Sequence, residues 1–209
     1  MTTILVTGFG PFPGAPFNPT APLVARLARL RRPALADLTI VPHVFATSYA
    51  AVDRELPQLI AKHRPDALLM FGLAPRTRFI RIETRARNVL ALLPDAGGAQ
   101  PRGHAIATGE PHALAMPAPA LRLLAAARAA RLPAALSRDA GRYLCNYLCW
   151  QAASAAGKKP RVAAFVHVPN TSRKLMRRTR PGKKRHFTLD DLTRAGARIL
   201  VEVAAAARR

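Results

Sequence analysis

Short apolar runs recur along this chain, and stretches with apolar residues at helical spacing separate them. Ile4 to Thr7, Leu38 to Val44, Ala67 to Phe71, Phe79 to Glu83, Ala134 to Ser137 and Val162 to Val168 have the length and character of strands. Between them, residues 20–32 carry Leu23, Val24, Leu27 and Leu30 on one helical face, and Tyr49 to His63 carries Val52, Leu56, Leu59 and Ile60. Ala118 to Arg131, a segment from near Cys145 to about Ala156, and Leu189 to Ala207 read as further helices. Thr188 is placed to cap the last of these, with Asp190 and Asp191 in its first turn. Strands alternating with helices at this spacing imply a layered α/β fold with a largely parallel central sheet. Residues 94–112, rich in Gly, Pro and polar groups, read as a long loop. The 209 residues suit one domain spanning 1–209 with a full core.

Charge is the most unusual part of the composition. Lys and Arg number 33 against 11 Asp and Glu, a formal net charge of +22. Such a balance raises nucleic acid or another polyanion as a partner. The arginines are scattered through Ala-rich helices, which describes a solvated basic surface. One dense cluster stands out: Arg173, Lys174, Arg177, Arg178, Arg180 and Lys183 to Arg185. Aromatic residues do not interleave with it, so a stacking platform is not indicated. No apolar run has the length of a membrane span, and the chain opens directly on a strand pattern without a basic, apolar leader; a cytoplasmic protein is expected.

The two cysteines, Cys145 and Cys149, lie on one predicted helix, four residues apart. They fit a reducing compartment rather than a disulfide framework. Cys145 follows a Gly turn in Asp139-Ala-Gly-Arg-Tyr-Leu-Cys145-Asn146, near the start of the helix, where the helix dipole and unpaired N–H groups favour thiolate. His167 stands at the end of the last apolar run. A thiol and a histidine so placed match a nucleophile and its base. The orienting group would be a carboxylate; Glu83 is the first choice and Asp139 the second, the latter also being placed to cap the turn. Cys149 reads as a core residue. The chain lacks a zinc-ligand spacing, a dinucleotide fingerprint, a phosphate-binding loop and a Gly-x-Ser-x-Gly elbow, so the competing chemistries are weaker.

Four blocks, taken in order, resemble the pyroglutamyl peptidase I family of cysteine peptidases. They are Val6-Thr-Gly-Phe-Gly-Pro-Phe-Pro-Gly14 with Asn18-Pro-Thr20; Gly72-Leu-Ala with Glu83 and Asn88; Ser137-Arg-Asp-Ala-Gly-Arg-Tyr-Leu-Cys145-Asn146; and Phe165-Val-His167-Val-Pro169. The resemblance implies a three-layer α/β/α sandwich with a mostly parallel mixed sheet, and neither a metal nor an organic cofactor. It implies a Cys145–His167–Glu83 triad, with Phe9, Phe12, Leu73, Asn88 and Leu144 on the substrate side. It further implies a peptide substrate with a blocked N-terminus and a homo-oligomer, frequently a tetramer. The chain departs from the family pattern at Pro75-Arg76-Thr77, at Ala96 and after Pro169. A thiol hydrolase of another small amide, or a polyanion-binding protein on the same scaffold, are the alternatives these departures raise.

Overall fold

A computed structural model describes residues 1–12, 14–157, 159–171 and 187–209. In chain order its elements are β1 (Thr2–Phe9), α1 (Thr20–Ala28), β2 (Leu38–Phe45), α2 (Tyr49–His63), β3 (Ala67–Leu73), β4 (Ile80–Glu83) and β5 (Arg85–Arg87). These are followed by β6 (Ala113–Ala115), α3 (Ala120–Ala129), β7 (Ala134–Ser137), α4 (Leu144–Ala155), β8 (Val162–Val168) and α5 (Leu189–Ala207).

Side-chain alternation along the central strands builds the layers. Ile4 and Val6 of β1, Leu69 and Phe71 of β3, and Val162, Ala164 and Val166 of β8 point to one face. There they bury against Leu23 and Leu27 of α1, Leu123 and Ala127 of α3, and Ile199, Leu200 and Val203 of α5. Leu5, Leu68, Met70, Ala163 and Phe165 point to the other face, against Val52 and Leu56 of α2 and Leu148, Cys149 and Trp150 of α4. The result is an α/β/α sandwich.

The sheet has six strands in the order β2-β1-β3-β8-β4-β7. β2, β1, β3 and β8 run parallel; β4 is antiparallel to β8, and β7 is parallel to β4. The sheet is therefore mostly parallel and mixed. β7 therefore does not end at the carboxyl edge of the parallel strands: Ser137 lies beside Glu83, which lies beside Phe165 in mid-β8.

The predicted helix over 20–32 stops at Ala28. Arg32 is extended ahead of Pro33, as the proline ring requires of its predecessor, and Pro33 opens a short 3-10 turn. β5 and β6 pair with each other apart from the main sheet; three residues each are too few to show a period. Residues 94–112 contain no helix or strand. Thr188 caps α5 as expected: its Oγ1 accepts from the Asp191 N–H at 3.1 Å while Asp191 Oδ2 accepts from the Thr188 N–H at 3.1 Å. Among the described residues no helix is long and apolar enough to cross a membrane. The basic cluster at 173–185 lies outside the described residues.

Candidate active site

The same alternation that turns Ala163 and Phe165 toward α4 turns His167 there. On β4, Ile80 and Ile82 enter the opposite core, so Arg81 and Glu83 face the α4 side. The antiparallel register sets Arg81 opposite His167 and Glu83 opposite Phe165. Glu83 and His167 are thus diagonal neighbours on one face, within side-chain reach. His167 Nδ1 lies 2.7 Å from Glu83 Oε1, and both residues are buried, 4 % and 1 % exposed.

Arg81 Nη2 approaches the same Glu83 oxygen at 2.9 Å. That guanidinium also donates to Ser137 Oγ at 2.9 Å and to the Asp139 carbonyl. Burial pushes the Glu83 carboxyl up, but His167, Ser137 and Arg81 together outweigh it and hold the group below its ordinary value. Burial alone would push His167 down; the negative charge and hydrogen bonding of Cys145 and of Glu83 reverse this and raise it to about 9.

Cys145 is the second residue of α4. Gly141, at φ +87°, makes the turn that precedes the helix, a conformation glycine adopts without strain. Asp139 Oδ1 accepts from the Gly141 N–H at 3.0 Å and pairs with Arg87 at 3.1 Å. The second-choice carboxylate therefore braces the turn, and the first choice is the one on His167. Tyr143, the residue before α4, supplies no side-chain cap to its first turn. A Cβ on Gly72 would stand 2.8 Å from Cys145 Sγ and 2.7 Å from Phe165 Cζ. Gly72 pairs with His167 in the β3–β8 ladder, so the bare glycine is what lets the thiol settle over the sheet beside the imidazole. Cys145 is partly exposed, whereas Cys149 is buried in the core, where desolvation pushes its thiol well up.

The remaining expected residues divide by burial. Phe9 is 2 % exposed and its ring lies 6.0 Å from that of Phe45. Leu73 and Leu144 are likewise buried, while Phe12 is half-exposed in the loop after β1. That loop is tied down by the Asn18-Pro-Thr20 block: Thr20 Oγ1 accepts from the Phe9 N–H at 3.0 Å, and Asn18 Nδ2 donates to the Gly10 carbonyl at 3.0 Å. Asn88 has its amide engaged with backbone. Oδ1 accepts from the Ile106 and Ala107 N–H groups at 2.7 and 2.9 Å, and Nδ2 donates to the Ala107 carbonyl at 2.7 Å. It shapes the 104–110 loop.

Two structural residues carry no expectation from the sequence beyond their place in a block or loop. Asn146, fully buried, accepts from the Arg87 N–H at 2.9 Å and donates to the carbonyls of Arg87 and Val89 at 2.8 and 3.0 Å, fastening α4 to the chain after β5. Asp95 accepts from the N–H groups of Tyr49, Gly97 and Ala99, joining the long loop to the start of α2. Despite burial, those bonds and Ser48 hold its carboxyl below the ordinary range.

The pyroglutamyl peptidase family model matches residues 2–207. This chain belongs to the pyroglutamyl peptidase family. Pyrrolidone-carboxylate peptidase of Thermococcus kodakarensis is 32% identical over 182 residues, covering 85% of this chain and 86% of that protein. The Pyrococcus furiosus pyrrolidone-carboxylate peptidase is 27% identical over 204 residues, covering 96% and 97%. In three dimensions the chain is similar to pyroglutamyl peptidase I of Bacillus amyloliquefaciens, with a TM-score of 0.83, 28% identity and 98% of each chain covered. Membership makes the chain a cysteine peptidase by family, and a partly exposed thiol next to a buried His–carboxylate pair is the constellation such chemistry needs.

Proposed function

We propose that this protein removes N-terminal pyroglutamate from peptides, with Cys145 as nucleophile, His167 as acid and base, and Glu83 as the group that orients His167. The observation that carries the reading is the 2.7 Å contact between His167 Nδ1 and Glu83 Oε1, with Cys145 acting on the same imidazole. Glu83 fixes the proton on Nδ1 and leaves Nε2 for the reaction.

A positively charged His167 beside Cys145 stabilises a thiolate. Cys145 Sγ attacks the carbonyl carbon of the pyroglutamyl residue, forming the S–C bond. First-turn N–H groups of α4, which no side chain caps, hold the oxyanion. The C–N bond then breaks as His167 gives its proton to the departing amine, leaving a pyroglutamyl thioester. His167 next takes a proton from water, the hydroxide attacks the thioester, and pyroglutamate leaves as the Cys145 thiolate and protonated His167 return.

The substrate ring is small, flat and uncharged, so its site needs apolar walls. Phe12 is the ring on the substrate-side loop with surface to offer, while Phe9, Leu73 and Leu144 are buried. Asn88 acts on the pocket through the loop that it shapes. Residues 1–209 work as one catalytic domain, and a homo-oligomer is the expected assembly, to be read by light scattering.

The test is incubation of reduced protein with a pyroglutamyl peptide and with the same peptide beginning in Gln or Pro. Release of pyroglutamate from the first alone supports the reading. Folded protein that releases none contradicts it.

A further inference from the structure

We propose that the basic groove on the far side of Arg81 receives the peptide that leaves, and that it favours peptides carrying carboxylates close behind the scissile bond; this rests on the peptidase reading above. Strand order ranks the parts of the site. β1, which leads into the Phe12 loop, comes first, then β3 with Gly72 under the thiol, then β8 with His167, then β4 with Arg81, and last the edge strand β7. An acyl group held on the β1–β3 side with its leaving amine at His167 must send the rest of the peptide toward β4 and β7.

A groove of about 590 Å³ lies there. Arg76, Arg78 and Arg81 line it, together with Phe79 and Leu136, which are 38 % and 41 % exposed. Arg81 is directly opposite His167 in the ladder, so the groove begins beside the base. The loop that carries the other two arginines is tied to the end of β8: the Ala74 N–H donates to the Val168 carbonyl at 2.9 Å, and Asn170 Nδ2 to the Pro75 carbonyl at 3.3 Å. This is a placed loop, not a loose one.

The charge there is unbalanced. Arg76 and Arg78 have no ion-pair partner among the described residues. Among the described residues Asp139 is the one carboxylate lining the groove, and it is engaged by Arg87 and the Gly141 N–H. Two guanidinium groups in one groove with a partly exposed aromatic ring match a short peptide with acidic side chains, each arginine offering paired donors to a carboxylate. Arg76 lies in Pro75-Arg76-Thr77, where the chain departs from the family pattern in sequence.

The experiment compares pyroglutamyl-Ala-Glu-Asp amide with its uncharged counterpart, pyroglutamyl-Ala-Gln-Asn amide. At low salt the acidic peptide is expected to show kcat/KM about fivefold higher, since exposed ion pairs contribute modestly. Added salt should erode the difference. The advantage should vanish in R76A/R78A and persist in R31A/R32A, which removes the same charge near β2 at the opposite edge of the sheet. Equal rates for the two peptides, or an advantage that survives R76A/R78A, would overturn the proposal and leave only attraction to a basic protein. Binding of the same labelled peptides to Cys145→Ala protein, read by anisotropy, separates the two readings. A protein that cleaves no pyroglutamyl amide yet binds the acidic peptide through Arg76 and Arg78 retains the groove and loses the peptidase assignment. Equal binding of both peptides sinks the groove alone.

Discussion

His167 Nδ1 and Glu83 Oε1 meet at 2.7 Å across 84 positions of sequence, and Arg81 reaches the same oxygen at 2.9 Å. One carboxylate oxygen therefore holds an imidazole and a guanidinium together. Replacing Glu83 by Gln keeps the shape but removes the charge that both partners use. We expect kcat to fall on the order of 10²-fold or more with the fold retained. Steady-state kinetics with circular dichroism will check it, and near-normal kcat in folded Glu83→Gln protein would remove Glu83 from the mechanism.

On the proposed mechanism the alkaline limb of the pH–rate profile belongs to His167. With the imidazole raised to about 9, kcat/KM should hold through neutrality and fall above about pH 9. In Glu83→Gln the limb should move to lower pH, since one of the charges that raise His167 is gone. A limb that stays in place would mean that Glu83 does not tune the base.

Stability follows the same ionisations. A folded-state pKa raised above the ordinary 6.5 contributes stability that is fully present below that value and lost as pH rises through about 9. Glu83 is lowered, so its contribution is present above the ordinary 4.5 and lost as pH falls through the folded value. The urea midpoint should therefore fall between about pH 6.5 and 9, and His167→Asn should flatten that slope. An unchanged slope would place the pH dependence elsewhere.

Gly72 admits no side chain. In Gly72→Ala the new methyl would press on Phe165 and on the Cys145 thiol at 2.7 and 2.8 Å. We expect a loss of about 1–3 kcal/mol, as for overpacked cores, and a larger loss of activity as the thiol is displaced. Urea denaturation and kinetics on one preparation will show whether the two losses part in this way; full activity in the variant would mean that the thiol does not sit over Gly72.

Asn146 is a fastening without chemistry. Its replacement by Ala leaves the Arg87 N–H and two carbonyls without their buried partner, at a cost of about 2–4 kcal/mol. The Cys145 helix would lose its hold on the chain after β5. A drop in Tm of several degrees is expected, and no change would show that the bonds are replaced by water.

Much of this site could be read from residue order. Cys145 after a glycine turn and His167 at the end of an apolar strand announce themselves locally. Glu83 stands out because acids are few. The part that could not be read depends on pairing between distant strands. Arg81 becomes a neighbour of His167 because β4 runs against β8; in a parallel arrangement the two ends would lie elsewhere. The role of Gly72 depends on where a helix seventy residues downstream comes to rest. Asn88 and Asn146 both sit in family-like blocks, yet only their hydrogen bonds show that they hold loops. β5 and β6 are three residues each, too short for any period to reveal.

The central claim is that Cys145 performs the chemistry. The measurement is hydrolysis of a fluorogenic pyroglutamyl amide, under reducing conditions, by the wild type, Cys145→Ser and Cys149→Ser. The account predicts release by the wild type and by Cys149→Ser, and loss of turnover in folded Cys145→Ser. Turnover retained in Cys145→Ser, or lost only in Cys149→Ser, would contradict it.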